Sequence, residues 1–264
     1  MKLNYKEINR NSWNKRTEVH LESEFYDMKG FLEGKTSLKT IELDLLGDVS
    51  GLKILHLQCH FGQDSLSLAR MGAKVTGVDL SNVAIENAKK LANDLKLDAN
   101  FICCDLYDLT QFLDEEFDLV FTSYGTIGWL PDLNKWAKLV NRFLKTTGKF
   151  VFVEFHPVVW MFDDAFEKIE YSYFNKEEIV TEEDSYAAMN NSTKESFVTW
   201  NHPLCDVLSS LIENSLILTK FSEVDYSPYN CFQNTIELED GKFRIKGLEE
   251  KIPMVYALVA EKSK

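Results

Sequence analysis

Residues 54–81 read ILHLQCHFGQDSLSLARMGAKVTGVDLS. The stretch opens with an apolar run too short for a helix, passes through the polar sequence QCHFG, continues with helical spacing and closes on a second apolar run that ends in Asp79. Strand, loop, helix, strand in that order is the layout of a nucleotide-binding unit. The loops of such units normally carry several glycines, because glycine permits positive φ and close backbone approach to a ligand. Here only Gly62 is present.

Outward from this unit the same alternation continues. KILHLQ (53–58) predicts the first strand and AKVTGVDL (73–80) the second. Ala84, Ala88, Leu91 and Leu95 then repeat at helical spacing along 82–96. ANFICCDL (99–106) predicts a third strand and EFDLVFTS (116–123) a fourth. Pro131 opens a helix whose buried stripe is expected to be Leu133, Trp136, Ala137, Val140 and Leu144, and the turn Thr147-Gly148 leads into a fifth strand, KFVFVEF (149–155). Strands alternating with helices of this length predict an α/β fold, a Rossmann-like parallel sheet with helices on both faces. Right-handed crossovers align the carboxyl ends of strands one to five on one edge, which collects Gln58, Asp79, Asp105, Ser123 and Glu154.

The alternation breaks over 156–202, which is rich in aromatic residues, among them Trp160, Phe162, Phe166, Tyr171, Tyr173, Phe174, Tyr186, Phe197 and Trp200. It resumes with a helix from Pro203 and strands at 216–222 (LILTKFS) and IPMVYALVAEK. The expected organisation is a helical lid over 1–45, a core over 46–155 and 203–264, and an inserted substrate cap over 156–202.

Bulk properties restrict the function. The 264 residues carry 29 basic and 42 acidic side chains, a net charge of −13. A chain this acidic lacks the clustered Lys and Arg that phosphate neutralisation needs, so no nucleic-acid partner is expected. The five cysteines are odd in number and show no CxxC spacing, and Cys103 and Cys104 fall in a predicted buried strand, where a thiol acts as a small hydrophobe. No leader-like apolar segment and no run of ~18 apolar residues is present. A soluble cytoplasmic protein without a membrane partner is expected; the oligomeric state is not legible.

Asp79 lies at the end of strand two, about twenty residues past the loop, where a carboxylate accepts hydrogen bonds from both hydroxyls of an adenosine ribose. Asp105 ends strand three, where a carboxylate can accept from an adenine amino group while Leu106 offers its backbone N–H to the ring. Strand-end acids also cap turns, so the conjunction on one edge carries the argument.

The series ILHLQCHFG, VTGVDLS, FICCDL, FDLVFTS and LKTTGKFVFVEF resembles the successive motifs of class I S-adenosylmethionine-dependent methyltransferases, over roughly residues 45–155 and again at the two C-terminal strands. HLQCHFG, WLPDL (129–133) and EFHP (154–157) resemble one bacterial branch of that family. The resemblance implies seven strands in the order 3-2-1-4-5-7-6 with the last antiparallel, S-adenosylmethionine as cofactor, and contacts to it from His56, Gln58, Cys59, Gly62, Asp79, Leu80, Asp105, Leu106 and Ser123. The family's loop reads acid-x-Gly-x-Gly-x-Gly, and the matching positions here are His56, Gln58, His60 and Gly62. Gln58 and His60 therefore either adopt ordinary conformations or carry strain. His56 stands where a carboxylate commonly helps hold the cofactor's ammonium group. The aromatic, basic N-terminus is expected to compensate, with Arg16, Lys15 or His20 pairing with the cofactor's carboxylate and Trp13 or Tyr26 covering it. His56, Cys59 and His60 do not converge as a metal site, and no metal is expected.

Methyl transfer is an in-line displacement, so the protein mainly positions the acceptor. Tyr124 and Trp129 offer aromatic faces to a sulfonium, and Glu154 and His156 are candidate bases for an acceptor that must lose a proton. By analogy with the family, the insert and DYSPYNCF (225–232) form the acceptor cap, with Trp160 and Tyr229 as candidate substrate contacts. An aromatic cap on an acidic protein suits a small molecule. The alternatives are a non-catalytic protein that keeps the fold and a nicotinamide-dependent oxidoreductase; the latter needs a G-x-G-x-x-G loop that this chain lacks.

Overall fold

The computed structural model describes residues 4–184 and 194–263, so Tyr186 lies outside the described residues. Helix α1 (Tyr5–Glu22) leads through α2 (Met28–Leu32) and α3 (Thr40–Leu46) into β1 (Lys53–Leu57). Then come α4 (Gln63–Arg70), β2 (Lys74–Asp79), α5 (Asn82–Leu95), β3 (Ala99–Cys103), β4 (Phe117–Ser123), α6 (Leu133–Phe143) and β5 (Leu144–Phe155). The remainder holds β6 (Ile179–Asp184), β7 (Lys194–Thr199), α7 (Leu204–Glu213), β8 (Leu216–Val224), β9 (Thr235–Glu239), β10 (Lys242–Ile245) and β11 (Val255–Lys262).

Seven of these strands form one sheet in the order β3-β2-β1-β4-β5-β11-β8, with β11 antiparallel to both neighbours. This is the predicted Rossmann-like order. The central strands are covered on both faces, which is why Ile54–Leu57, Leu119–Phe121 and Phe150–Val153 are buried without alternation. Helix starts follow local chemistry. Ser81 caps α5 by accepting from the Ala84 N–H at 3.0 Å, and Asp132 caps α6 by accepting from Lys135 N–H at 3.0 Å.

Three expectations need correction. Leu144 is not on α6: the helix ends at Phe143, which takes the last place in its buried stripe, and Leu144 opens β5, five residues ahead of the predicted start. The strand pairing Phe117↔Leu144 makes the extension possible. The third strand stops at Cys103 because Asp105 starts a tight 3-10 turn over 106–111. Cys103, on this edge strand of the sheet, is exposed, while Cys104 is buried.

The aromatic insert divides between two neighbours. Trp160 and Phe166 pack with Phe232 and Phe155 beside the β9–β10 hairpin, which sequence reasoning read only as a polar excursion. The β6–β7 hairpin instead lies against α1. There the buried Asn9 side chain exchanges two 2.8 Å hydrogen bonds with the Val198 backbone, as a neighbouring strand would.

Candidate functional site

The carboxyl edge of the sheet opens into a cavity of about 510 Å³. It runs from the ends of β2 and β3, over the β1 loop, to an aromatic wall beyond β4.

At the first end Asp79 is half-buried. Its Oδ2 accepts from the His60 N–H and its Oδ1 from the Ser81 N–H, both at 2.8 Å. Burial pushes its carboxyl up to about 6 against those two donors. Leu80, Asp105 and Leu106 line the cavity beside it. Asp105 accepts from the Tyr107 N–H at 3.0 Å and pairs with Lys6 of α1 at 3.0 Å. Tyr5, Asn9 and Trp13 bring α1 over this end.

The β1 loop resolves the glycine question. Gln58 has φ 53°, His60 φ 52° and Gly62 φ 83°, so all three alternate positions are left-handed although only one is glycine. The loop keeps the shape that glycines would allow, at a cost of about 1–2 kcal/mol for each non-glycine residue. The His60 ring is held by packing: it lies 5.2 Å from Trp13, 5.1 Å from His20 and 4.4 Å from Phe61, and its Nε2 is 3.3 Å from Thr17 Oγ1. Gly62 is required twice over, because a Cβ there would also meet Phe101 at 2.8 Å. His56 is buried, with Nδ1 2.7 Å from Ser65 Oγ, and burial drives its imidazole down to about 4, so it is neutral near pH 7.

Cys59, Ser123, Tyr26, Tyr124, Trp129 and Tyr229 also line the cavity. Arg16, His20, Trp160, Glu154 and His156 do not. Arg16 bonds Ser12 and lies over the Phe197 ring, and His20 packs on Tyr26. Trp160 is 41% exposed beside Phe155.

Glu154 is buried and accepts from the N–H groups of Gly125, Thr126, Ile127 and Phe155, and from the Thr126 hydroxyl. The loop after β4 is thus folded around one carboxylate, and Tyr124 is held at φ 42° at its start. His156 donates from Nε2 to Glu223 at 2.9 Å and accepts from the Val158 N–H at Nδ1, 3.2 Å away. Among the described residues, no three His, Cys, Asp or Glu side chains are grouped to hold a metal.

Sequence reasoning missed Glu42. It is buried behind Tyr124, accepting from the Tyr124 hydroxyl at 2.7 Å and the Lys39 N–H at 3.1 Å. Burial and the nearby Asp64 charge push it up to about 7. Phe25, Ser37, Lys39, Asp64 and Phe155 were missed as well, while Cys231 falls within the 225–232 stretch expected to form the cap. Only Asp64, two residues past the loop glycine, lay close enough to the motif to be suspected.

Residues 55–152 match the profile of the methyltransferase domain. Over that stretch the chain is similar to methyltransferase domains, and its strand order is that of the Rossmann-like fold. Among particular relatives, it is 28% identical to the uncharacterized methyltransferase YbaJ of Bacillus subtilis over 195 residues, 71% of this chain and 74% of that one. It is 34% identical to a ubiquinone biosynthesis O-methyltransferase of Coxiella burnetii over 115 residues, 44% of this chain and 47% of that protein, about half its length. The crystal structure of geranyl diphosphate C-methyltransferase from Streptomyces coelicolor, bound to Mg2+, geranyl diphosphate and S-adenosyl-L-homocysteine, superposes with a TM-score of 0.62 at 15% identity, covering 99% of this chain and 98% of that one.

Proposed function

We propose that this protein transfers the methyl group of S-adenosylmethionine to a small-molecule acceptor. One observation carries the reading: the half-buried Asp79 carboxylate, backed by two backbone N–H groups, opens onto a cavity that ends in an aromatic wall. The cavity's volume of about 510 Å³ is that of a small-molecule site. The residues fit the cofactor. Asp79 is set for the ribose hydroxyls, Leu80, Leu106 and Asp105 for the adenine, and the buried Gln58 Oε1 has no hydrogen-bond partner. When bound, the cofactor supplies an electrophilic methyl carbon on a sulfonium.

The chain's own part is orientation and proton removal. Tyr124, Trp129 and Tyr229 wall the end where an acceptor sits, with Tyr124 and Tyr229 ring centroids 5.1 Å apart. For an acceptor that must lose a proton, Tyr124 is the group that meets it, taking that proton as its own passes to Glu42. Glu154 then acts by holding the loop that aims Tyr124, and His156 stabilises the sheet end. Calorimetric titration with S-adenosylhomocysteine tests the cofactor half: micromolar binding by the wild type and loss of at least ~10-fold in Asp79→Asn are expected. No binding at millimolar ligand would end the reading. Transfer of an isotope-labelled methyl group to small acceptors tests the rest.

A further inference from the structure

We infer that Asp64, in the first turn of α4, holds the ammonium group at the amino-acid end of the cofactor, supplying a counter-charge that β1 lacks. The inference rests on the cofactor reading above.

An amino-acid tail brings a full positive charge into a partly enclosed cavity, where an unpaired ammonium is costly. The β1 side chain that faces the loop, His56, offers no negative charge: it is buried, bound to Ser65 and neutral near pH 7. The acids around the cavity can be sorted by what they already meet. Asp79 and Asp105 belong to the nucleoside end, Asp105 already paired with Lys6. Asp27 pairs with Lys35 at 3.1 Å. Glu42 is fully buried behind Tyr124.

Asp64 differs from all of these. It lines the cavity, and its hydrogen-bond partners are neutral hydroxyls: Ser37 Oγ donates to Oδ1 at 2.6 Å and Ser123 Oγ to Oδ2 at 3.2 Å. No ion pair to it occurs among the described residues. Tyr26, Tyr124, Tyr229 and His56, on which its charge acts, line the same cavity. Gln58 adds a neutral acceptor. Its Nε2 is fixed on the Thr126 carbonyl at 2.7 Å, leaving the buried Oε1 without a partner. An ammonium has three donors, and a carboxylate and an amide oxygen would satisfy two of them.

The test compares two known ligands by calorimetry: S-adenosylhomocysteine, which has the amino-acid tail, and 5′-methylthioadenosine, which lacks it. In Asp64→Asn and in Asp64→Ser, S-adenosylhomocysteine should bind about 30-fold more weakly, the scale of a charge-assisted hydrogen bond. Methylthioadenosine should bind as it does to the wild type within about twofold, which also shows that the variants fold. A loss below about threefold, or equal losses for both ligands, overturns the inference while the cofactor reading survives. If the wild type binds neither ligand, the cofactor reading fails and takes the inference with it.

Discussion

The Asp79 carboxylate on β2 accepts the backbone N–H of His60 at 2.8 Å, so the acid proposed to meet the ribose also holds the β1 loop. In that proposal a single half-buried group links loop shape to ligand affinity. Burial raises its carboxyl to about 6 from the ordinary 3.8. The ionised form must accept from the ribose hydroxyls, so S-adenosylhomocysteine should bind more weakly as pH falls through about 6. The expected slope approaches tenfold per pH unit below that point. Calorimetry between pH 5 and 8 reads it; a flat profile would exclude Asp79 as the ribose acceptor.

Glu42 makes a second pH dependence. Its folded value of about 7 lies above the ordinary 4.5, so between those values the native state binds more protons than the unfolded chain. Stability from this group is present below about 4.5 and is lost as pH rises to about 7. Because His56 and His20, both held down to about 4, move total stability the other way over much of this window, the decline is read as a difference. By thermal denaturation, the stability of wild type relative to Glu42→Gln should fall by up to about 3 kcal/mol between pH 4.5 and 7.

Glu154 organises the loop after β4 through five accepted hydrogen bonds. Glu154→Gln turns a donor toward backbone N–H groups and leaves some of them unpaired. A destabilisation of about 3 kcal/mol is expected in urea unfolding. Wild-type stability in this variant would mean that the loop is held by something else.

The three left-handed positions of the β1 loop should respond differently to substitution. Gln58→Gly relieves strain but gives up the bond to Thr126 and adds unfolded-state entropy, so its net effect should stay within about 1 kcal/mol. His60→Gly removes a half-buried ring packed between Trp13, His20 and Phe61 and should cost about 2–4 kcal/mol. Gly62→Ala combines positive φ with a 2.8 Å approach to Phe101 and should cost at least about 2 kcal/mol. Chemical denaturation of the three variants orders them.

The sheet was legible because buried parallel strands appear as short apolar runs separated by helical spacing, and the strand-end acids fall where each run stops; the strand order was implied by the family resemblance of those runs. Asp79, Asp105 and the loop could be placed by counting along the chain. The N-terminal helix was harder. α1 docks through Asn9, Ser12 and Thr17, polar residues that sequence patterning assigns to solvent. The β9–β10 hairpin and the division of the insert escaped for the same reason: their contacts join segments distant in the chain.

What the sequence by itself determined is the fold and the sheet edge on which Asp79 and Asp105 fall, since both follow from the succession of apolar runs and from strand-end position. Only the tertiary structure decided that Gln58 and His60 keep a glycine-like loop, with His60 packed under α1 and bonded to Asp79 and Gln58 bonded to the Thr126 carbonyl. It likewise decided that Glu154 faces a loop, that Glu42 stands behind Tyr124, and that the cavity's available acid is Asp64. Each depends on which side chains meet across the sheet edge, and linear spacing carries no record of that.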